Sequence, residues 1–168
     1  ILGSGIVRIA NGCEVVNGRV VGVALSNKFL PIFQVVEYFR AFLSGRMAWQ
    51  GVNGLLIISG AFGMFKRDAV IEAGGYNHET VGEDMEMVAR IHRTKHERKE
   101  PYRVVFVPDP VCWTEAPESM KILSRQRNRW HRGLLDTLLI HKKMLLNRNY
   151  GVIGMAAMPY FLFIELLG

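Results

Sequence analysis

The chain has 168 residues, 49% hydrophobic and 21% charged, enough for one ordinary domain or for part of a larger one. That composition excludes a disordered or low-complexity chain, and no internal repeat divides it. The net charge of +6 is gathered into residues 119–148, which are net +7 and leave the remainder at −1, so a partner for the basic charge belongs to that segment.

In chain order, the first elements are extended. The β-branched runs Ile6-Val7-Arg8-Ile9 and Val20-Val21-Gly22-Val23, punctuated by Asn11-Gly12 and Asn17-Gly18, predict strands joined by tight turns. From Pro31 the spacing of Phe33, Val36, Glu37, Phe39, Arg40 and Leu43 predicts a helix, with Pro31 in its first turn and Gly45 near its end. Leu55-Leu56-Ile57-Ile58-Ser59-Gly60 is a continuous apolar run broken by glycine, the pattern of a buried strand that ends at a site. Asp68 is expected to N-cap a short helix that closes at Gly74-Gly75. Glu83-Asp84 opens another helix with an apolar face of Met85, Val88, Ala89 and His92, and the charged stretch 92–100 is expected to be solvated.

Residues 103–107 read as a strand stopped by Pro108-Asp109-Pro110. A long helix is expected over about 119–146, bending near Gly133. The apolar run 152–167 is shorter than the roughly 20 residues of a membrane span, and Pro159 and Glu165 interrupt it. Its basic approach favours the start of a membrane helix, flanked on the cytoplasmic side, over a core helix. That ending and the missing initial methionine read as a fragment of a longer protein. Cys13 and Cys112 share no metal-ligand spacing with the histidines and are expected to be reduced thiols serving as small core residues. Strands alternating with helices make the class α/β.

Three groups of residues could carry chemistry. Asp84 opens a helix, where the positive end of the dipole favours an ionised carboxylate; it is either an N-cap or a general base for a hydroxyl proton. Gln126, Arg129 and Trp130 are three and four positions apart and share one helix face. An amide, a bidentate guanidinium and a flat indole suit a sugar nucleotide, although an amphipathic basic helix anchored by its tryptophan has the same pattern. Ser59-Gly60-Ala61-Phe62-Gly63 lets a backbone approach a ligand closely, or marks a bulge. No two aspartates are spaced as Asp-x-Asp, and neither a metal site, a P-loop nor a dinucleotide fingerprint is expected in the chain.

The order of these pieces resembles the family-two glycosyltransferases, in particular the membrane-embedded, often processive branch of cellulose, chitin, hyaluronan and poly-N-acetylglucosamine synthases. The resemblance is carried by Ser59-Gly60-Ala61-Phe62, Glu72-Ala73-Gly74-Gly75-Tyr76, Val81-Gly82-Glu83-Asp84, Thr114-Glu115-Ala116-Pro117 and Gln126-Arg127-Asn128-Arg129-Trp130, from about Leu55 onward. It implies the acceptor-side half of a GT-A, Rossmann-like domain over 1–118, a basic interface helix over 119–148 and a truncated membrane segment over 149–168. It implies inverting transfer from a UDP-sugar to a saccharide or lipid acceptor, with Asp84 as base. Glu83, Ser59, Gly60, Gln126, Arg127, Arg129 and Trp130 would bind substrate.

The resemblance also implies a Mg or Mn ion in the full-length enzyme, held upstream of this chain, and a plasma-membrane location with the catalytic part facing the cytoplasm. Without the donor half the chain alone is expected to be inactive. A basic module for anionic lipid or nucleic acid is the alternative. Nucleic acid is disfavoured, because the basic helix has one tryptophan and no recognisable nucleic-acid motif.

Overall fold

The computed structural model describes residues 2–167, the side chain of Pro110 excepted. Its centre is a three-stranded sheet in the order β4-β1-β5, in which β1 (Leu2–Ile9) runs antiparallel to β4 (Gly63–Phe65) and parallel to β5 (Val104–Thr114). Strands β2 (Glu14–Val16) and β3 (Arg19–Gly22) form a separate hairpin. It turns at Asn17-Gly18, both with positive φ (50° and 74°), the conformation that favours these two residue types.

Strand β5 corrects one expectation, since Pro108-Asp109-Pro110 does not stop it. Gly5 pairs with Val107 and Ile6 with Val111, so the three residues between are looped out and pairing resumes. Proline has no N–H to give the ladder, and an irregularity in one strand accommodates it.

Helix α1 (Phe29–Tyr38) starts two residues before Pro31 and runs on through a wider π-helical stretch, Phe39–Gly45, into α2 (Arg46–Gly51). Gly45 does not end the helix, because its backbone stays right-handed, with φ −63° and ψ −48°. The run 55–60 is buried at Leu55, Leu56 and Ile58 but forms no strand. The carbonyl of Leu55 accepts instead from the His92 imidazole.

Helix α3 (Arg67–Glu72) has Lys66, not Asp68, at its N-cap; Asp68 sits in the first turn without a capping bond. It ends as expected at Gly74 and Gly75, with φ of 91° and 77°. Gly75 N–H donates to Val70 O and Gly74 N–H to Ile71 O, the paired bonds of a left-handed helix stop.

Helix α4 (Glu83–Glu97) is the structural centre. One side packs Met87, Val88 and Ile91 against Leu2, Ile6, Leu55, Ile58, Val104 and Phe106. The other packs Met85 and Ala89 against Leu56, Leu134, Leu138, Ile153, Met158 and Phe161. The stretch 92–100 is therefore solvated only in part, with Glu97, Arg98 and Lys99 exposed. His92 is fully buried, and Lys95, nearly so, donates to Glu72 at 2.6 Å and to Glu100.

Helix α5 (Met120–Ile140) has Ser119 as its N-cap, the hydroxyl accepting from Ile122 N–H. It stops six residues short of Leu146, because His141 turns inward and is fully buried. Beyond it come short 3-10 turns and a helical run in which π segments, Ile153–Ala157 and Phe161–Leu166, flank the three-residue α6 (Met158–Tyr160). Pro159 removes one helical N–H at that point. Among the described residues no helix is long and apolar enough to cross a membrane. Cys13 and Cys112 are free and half-buried; Cys112 packs at the margin of a cluster that includes Val7 and Ile9, whereas Cys13 joins no core.

Candidate active site

The N-terminus of α4 is held by a loop braced through Asn77 and Thr80. Asn77 Oδ1 accepts from Glu79 N–H, and Thr80 Oγ accepts from Gly82 N–H while donating to Asp136 of α5. Gly82 is the N-cap and makes no side-chain cap, which puts Asp84 one residue inside the helix. Asp84 is therefore not the cap. Its Oδ2 accepts from Gly60 N–H at 2.8 Å and its Oδ1 from Met85 N–H at 2.8 Å.

The Gly60 contact leaves little room for a side chain. A Cβ there would lie 3.0 Å from Asp84 Oδ2. Asp84 is half-buried and lines an open cleft of about 470 Å³ with Gly60, Glu83, Thr80 and the loop residues Tyr76, Asn77 and His78. Glu83 is exposed, and Ser59 contributes its carbonyl to Phe62 N–H.

Beneath the cleft lies a cation with no local sequence signal. Arg46 is 6% exposed, donates to Ser4 Oγ at 3.0 Å and packs its guanidinium 3.9 Å from the Phe42 ring centroid. Ser4 is the β1 partner of Gly63, which lines the cleft. Burial pushes the arginine down to about 10, and the charge of Asp84 works in the opposite direction. Among the described residues Arg46 forms no ion pair, an expensive state that persists mainly where function needs it.

Helix α5 meets α4 backbone to backbone. A Cβ on Gly82 would sit 2.7 Å from Gly133 Cα, and one on Gly133 would sit 2.8 Å from Gly82 Cα. Gln126 and Trp130 precede Gly133 by seven and three residues and share its helix face. At 1.5 Å of rise per residue they lie about 10 Å and about 4.5 Å along the axis from this crossing. The motif thus ends, at Trp130, within a turn of the crossing with the residue that caps the Asp84 helix. None of its side chains is part of the cleft wall.

Trp130 and Arg129 are exposed. Gln126 is half-buried, and its Oε1 is buried without a partner among the described residues. Arg127 pairs with Glu37 of α1 and lies 4.7 Å from the Trp130 ring centroid, so it braces the indole.

The structure thus brings Asp84, Glu83 and Gly60 together and sets Gln126, Arg129 and Trp130 along the neighbouring helix. Thr80, Arg46 and Glu37 were not foreseen, because each acts through a partner 38 or more residues away. Tyr76 lies in a stretch that carries the family resemblance, without a role there. The cluster Gly74-Gly75-Tyr76-Asn77 ahead of an acidic pair was the available signal.

Among the described residues no group of three or more His, Cys, Asp or Glu could hold a metal ion. The residues present do not fit a divalent-cation site, and every role assigned below belongs to this chain's own side chains.

A family model described as glycosyl transferase family group 2 matches residues 12–167, and the chain belongs to that family. It is 33% identical over 113 residues to poly-beta-1,6-N-acetyl-D-glucosamine synthase of Staphylococcus aureus, covering 67% of this chain and 26% of that protein. It is 28% identical over 124 residues to the probable glycosyltransferase YdaM of Bacillus subtilis, covering 73% and 27%. The chain therefore spans about a quarter of the length of the curated relatives it matches.

Proposed function

We propose that this chain is the acceptor-side part of an inverting glycosyltransferase that passes a sugar from a UDP-sugar to a saccharide or lipid acceptor in polysaccharide synthesis. The observation that carries this reading is the Asp84 carboxylate, held by two main-chain N–H groups at the wall of an open cleft. Both bonds fix the carboxylate's position at the cleft wall, where a base must meet the acceptor hydroxyl. Asp84 takes the proton of an acceptor hydroxyl as that oxygen bonds to the anomeric carbon of the donor sugar. The bond from that carbon to the diphosphate breaks on the opposite face, and the nucleoside diphosphate leaves with the electron pair. Arg129 and Trp130, exposed on α5, are placed to meet the diphosphate and a sugar ring.

The likeness to a poly-N-acetylglucosamine synthase favours UDP-N-acetylglucosamine as donor. A divalent cation held by the remainder of the full-length enzyme would screen the diphosphate. The exposed Met120 and Ile122 beside Lys121 and Arg125 at the start of α5 favour contact with an anionic membrane, on its cytoplasmic side.

Asp84→Asn in the full-length enzyme tests the reading. The amide can accept only one of the two N–H groups, which costs about 1 kcal/mol, whereas loss of the base lowers transfer by about 10²–10⁴-fold. Transfer rates within a few-fold of wild type would remove Asp84 from catalysis.

A further inference from the structure

The cleft at Asp84 has walls that the transfer chemistry does not use. Tyr76 is 46% exposed, yet its ring is set edge-on against Phe65, with centroids 6.4 Å apart and planes at 72°. Both rings line the cleft, together with His78. Among the described residues neither Tyr76 nor His78 makes a side-chain hydrogen bond, so their polar groups are available to a ligand. The loop that carries them is tied at both ends, by the Gly74-Gly75 helix stop and by Thr80 bonded to Gly82 and Asp136. The platform is therefore formed before any ligand arrives.

The charges select the ligand. Glu83 and Asp84 line this cleft and no lysine or arginine does, so a diphosphate or a uronate would meet like charge. An uncharged pyranose meets none of that cost. It offers one face of C–H bonds to an aromatic ring and a rim of hydroxyls to the Asn77 amide N–H groups and the His78 imidazole.

We propose that Tyr76, backed by Phe65 and flanked by His78, is the platform for the terminal sugar of the acceptor glycan, an uncharged hexose or N-acetylhexosamine. The donor diphosphate is held elsewhere. This assignment rests on the proposed role of Asp84, which receives the hydroxyl of the sugar so placed.

The test uses the full-length enzyme with UDP-N-acetylglucosamine and a β-1,6-linked N-acetylglucosamine tetramer, with acceptor and donor KM measured separately. Tyr76→Ala should raise the acceptor KM about tenfold and leave the donor KM within about twofold. Tyr76→Phe and Tyr76→Trp should stay near wild type, since the ring and not the hydroxyl supplies the face. Tyr76→Leu keeps an apolar contact to Phe65 without a flat ring, and should behave like the alanine variant even if alanine loosens the loop.

An unchanged acceptor KM in the alanine and leucine variants overturns the platform. So does a rise confined to the donor KM. A wild-type enzyme that hydrolyses the donor without elongating the tetramer overturns the acceptor class. These results are separable from Asp84→Asn: an active asparagine variant removes the base whatever Tyr76 does, and an inactive one beside a neutral Tyr76→Ala removes the platform alone.

Discussion

Arg46 and Asp84 are opposite charges that the fold keeps near each other without letting them pair, and this sets what each can do. Asp84 spends its oxygens on Gly60 and Met85 N–H groups, while Arg46 has Ser4 Oγ and the face of Phe42. A salt bridge between them would occupy the carboxylate and weaken it as a base. With Arg46 held by Ser4 and Phe42, the Asp84 carboxylate stays open to the cleft. Arg46→Met should therefore separate stability from activity. The methionine keeps an apolar stem against Phe42 and removes a buried, unpaired charge, so unfolding stability should stay within about 1 kcal/mol of wild type or rise. Transfer by the full-length enzyme should fall at least tenfold. Thermal unfolding and initial rates read the two effects independently, and a large loss of stability with normal turnover would make Arg46 a purely structural residue.

At the scale of elements, α4 joins the two cores and its two ends are tied in different ways. Near its C-terminal end, His92 donates from Nε2 to Leu55 O and accepts at Nδ1 from Tyr102 O–H, anchoring the run that leads to Gly60. Burial pushes this imidazole down from 6.5 to about 4, the neighbouring His96 adding to it. The unfolded chain then binds the proton first as pH falls. The contribution is whole above pH 6.5 and is lost as pH drops through about 4. Denaturant unfolding should show wild type losing about 3 kcal/mol more than His92→Gln across that window, and equal slopes for both proteins would contradict it. At the other end, Gly82 and Gly133 set the spacing of α4 and α5. Alanine at Gly133 would gain about 1 kcal/mol of helix propensity. Its Cβ would also meet the Gly82 backbone at 2.8 Å, which cannot rotate away as a side chain could. Overpacking of about 1–3 kcal/mol outweighs the gain, so Gly133→Ala should unfold at lower denaturant and, in the full-length enzyme, raise KM as Trp130 moves off register.

At the scale of the molecule, what could be read in advance was local. The Asn17-Gly18 hairpin, the Gly74-Gly75 helix stop and the starts of α4 and α5 each depend on residues within five of one another. Asp84 and Gly60 were legible as separate candidates, although the bond between them spans 24 residues. Apart from the helix ends at Gly45 and Asp68, the differences were decided at long range. The run 55–60 met an imidazole where a strand was expected, β5 resumed beyond its prolines because β1 lay beside it, and α5 stopped where His141 found Glu86 at 2.9 Å. The apolar run after residue 152 also makes its contacts far along the chain. Its hydropathy is that of a segment seeking an apolar surface, and in this fold the surface it finds is the flank of α4, where Ile153, Ala157, Met158 and Phe161 cover Leu56, Met85 and Ala89. Phe163 and Ile164 lie on the other side of that run and remain exposed. A docked run and a run held by lipid make opposite demands on these two sets. With docking, Ile153→Ala opens a cavity at a position 1% exposed and should cost about 2–5 kcal/mol, while Ile164→Ala, at 58% exposed, should stay within about 0.5 kcal/mol. Denaturant unfolding of both variants decides between them: equal and small effects would mean that the run does not brace α4, and that the helix bearing Asp84 draws its support from the sheet side alone.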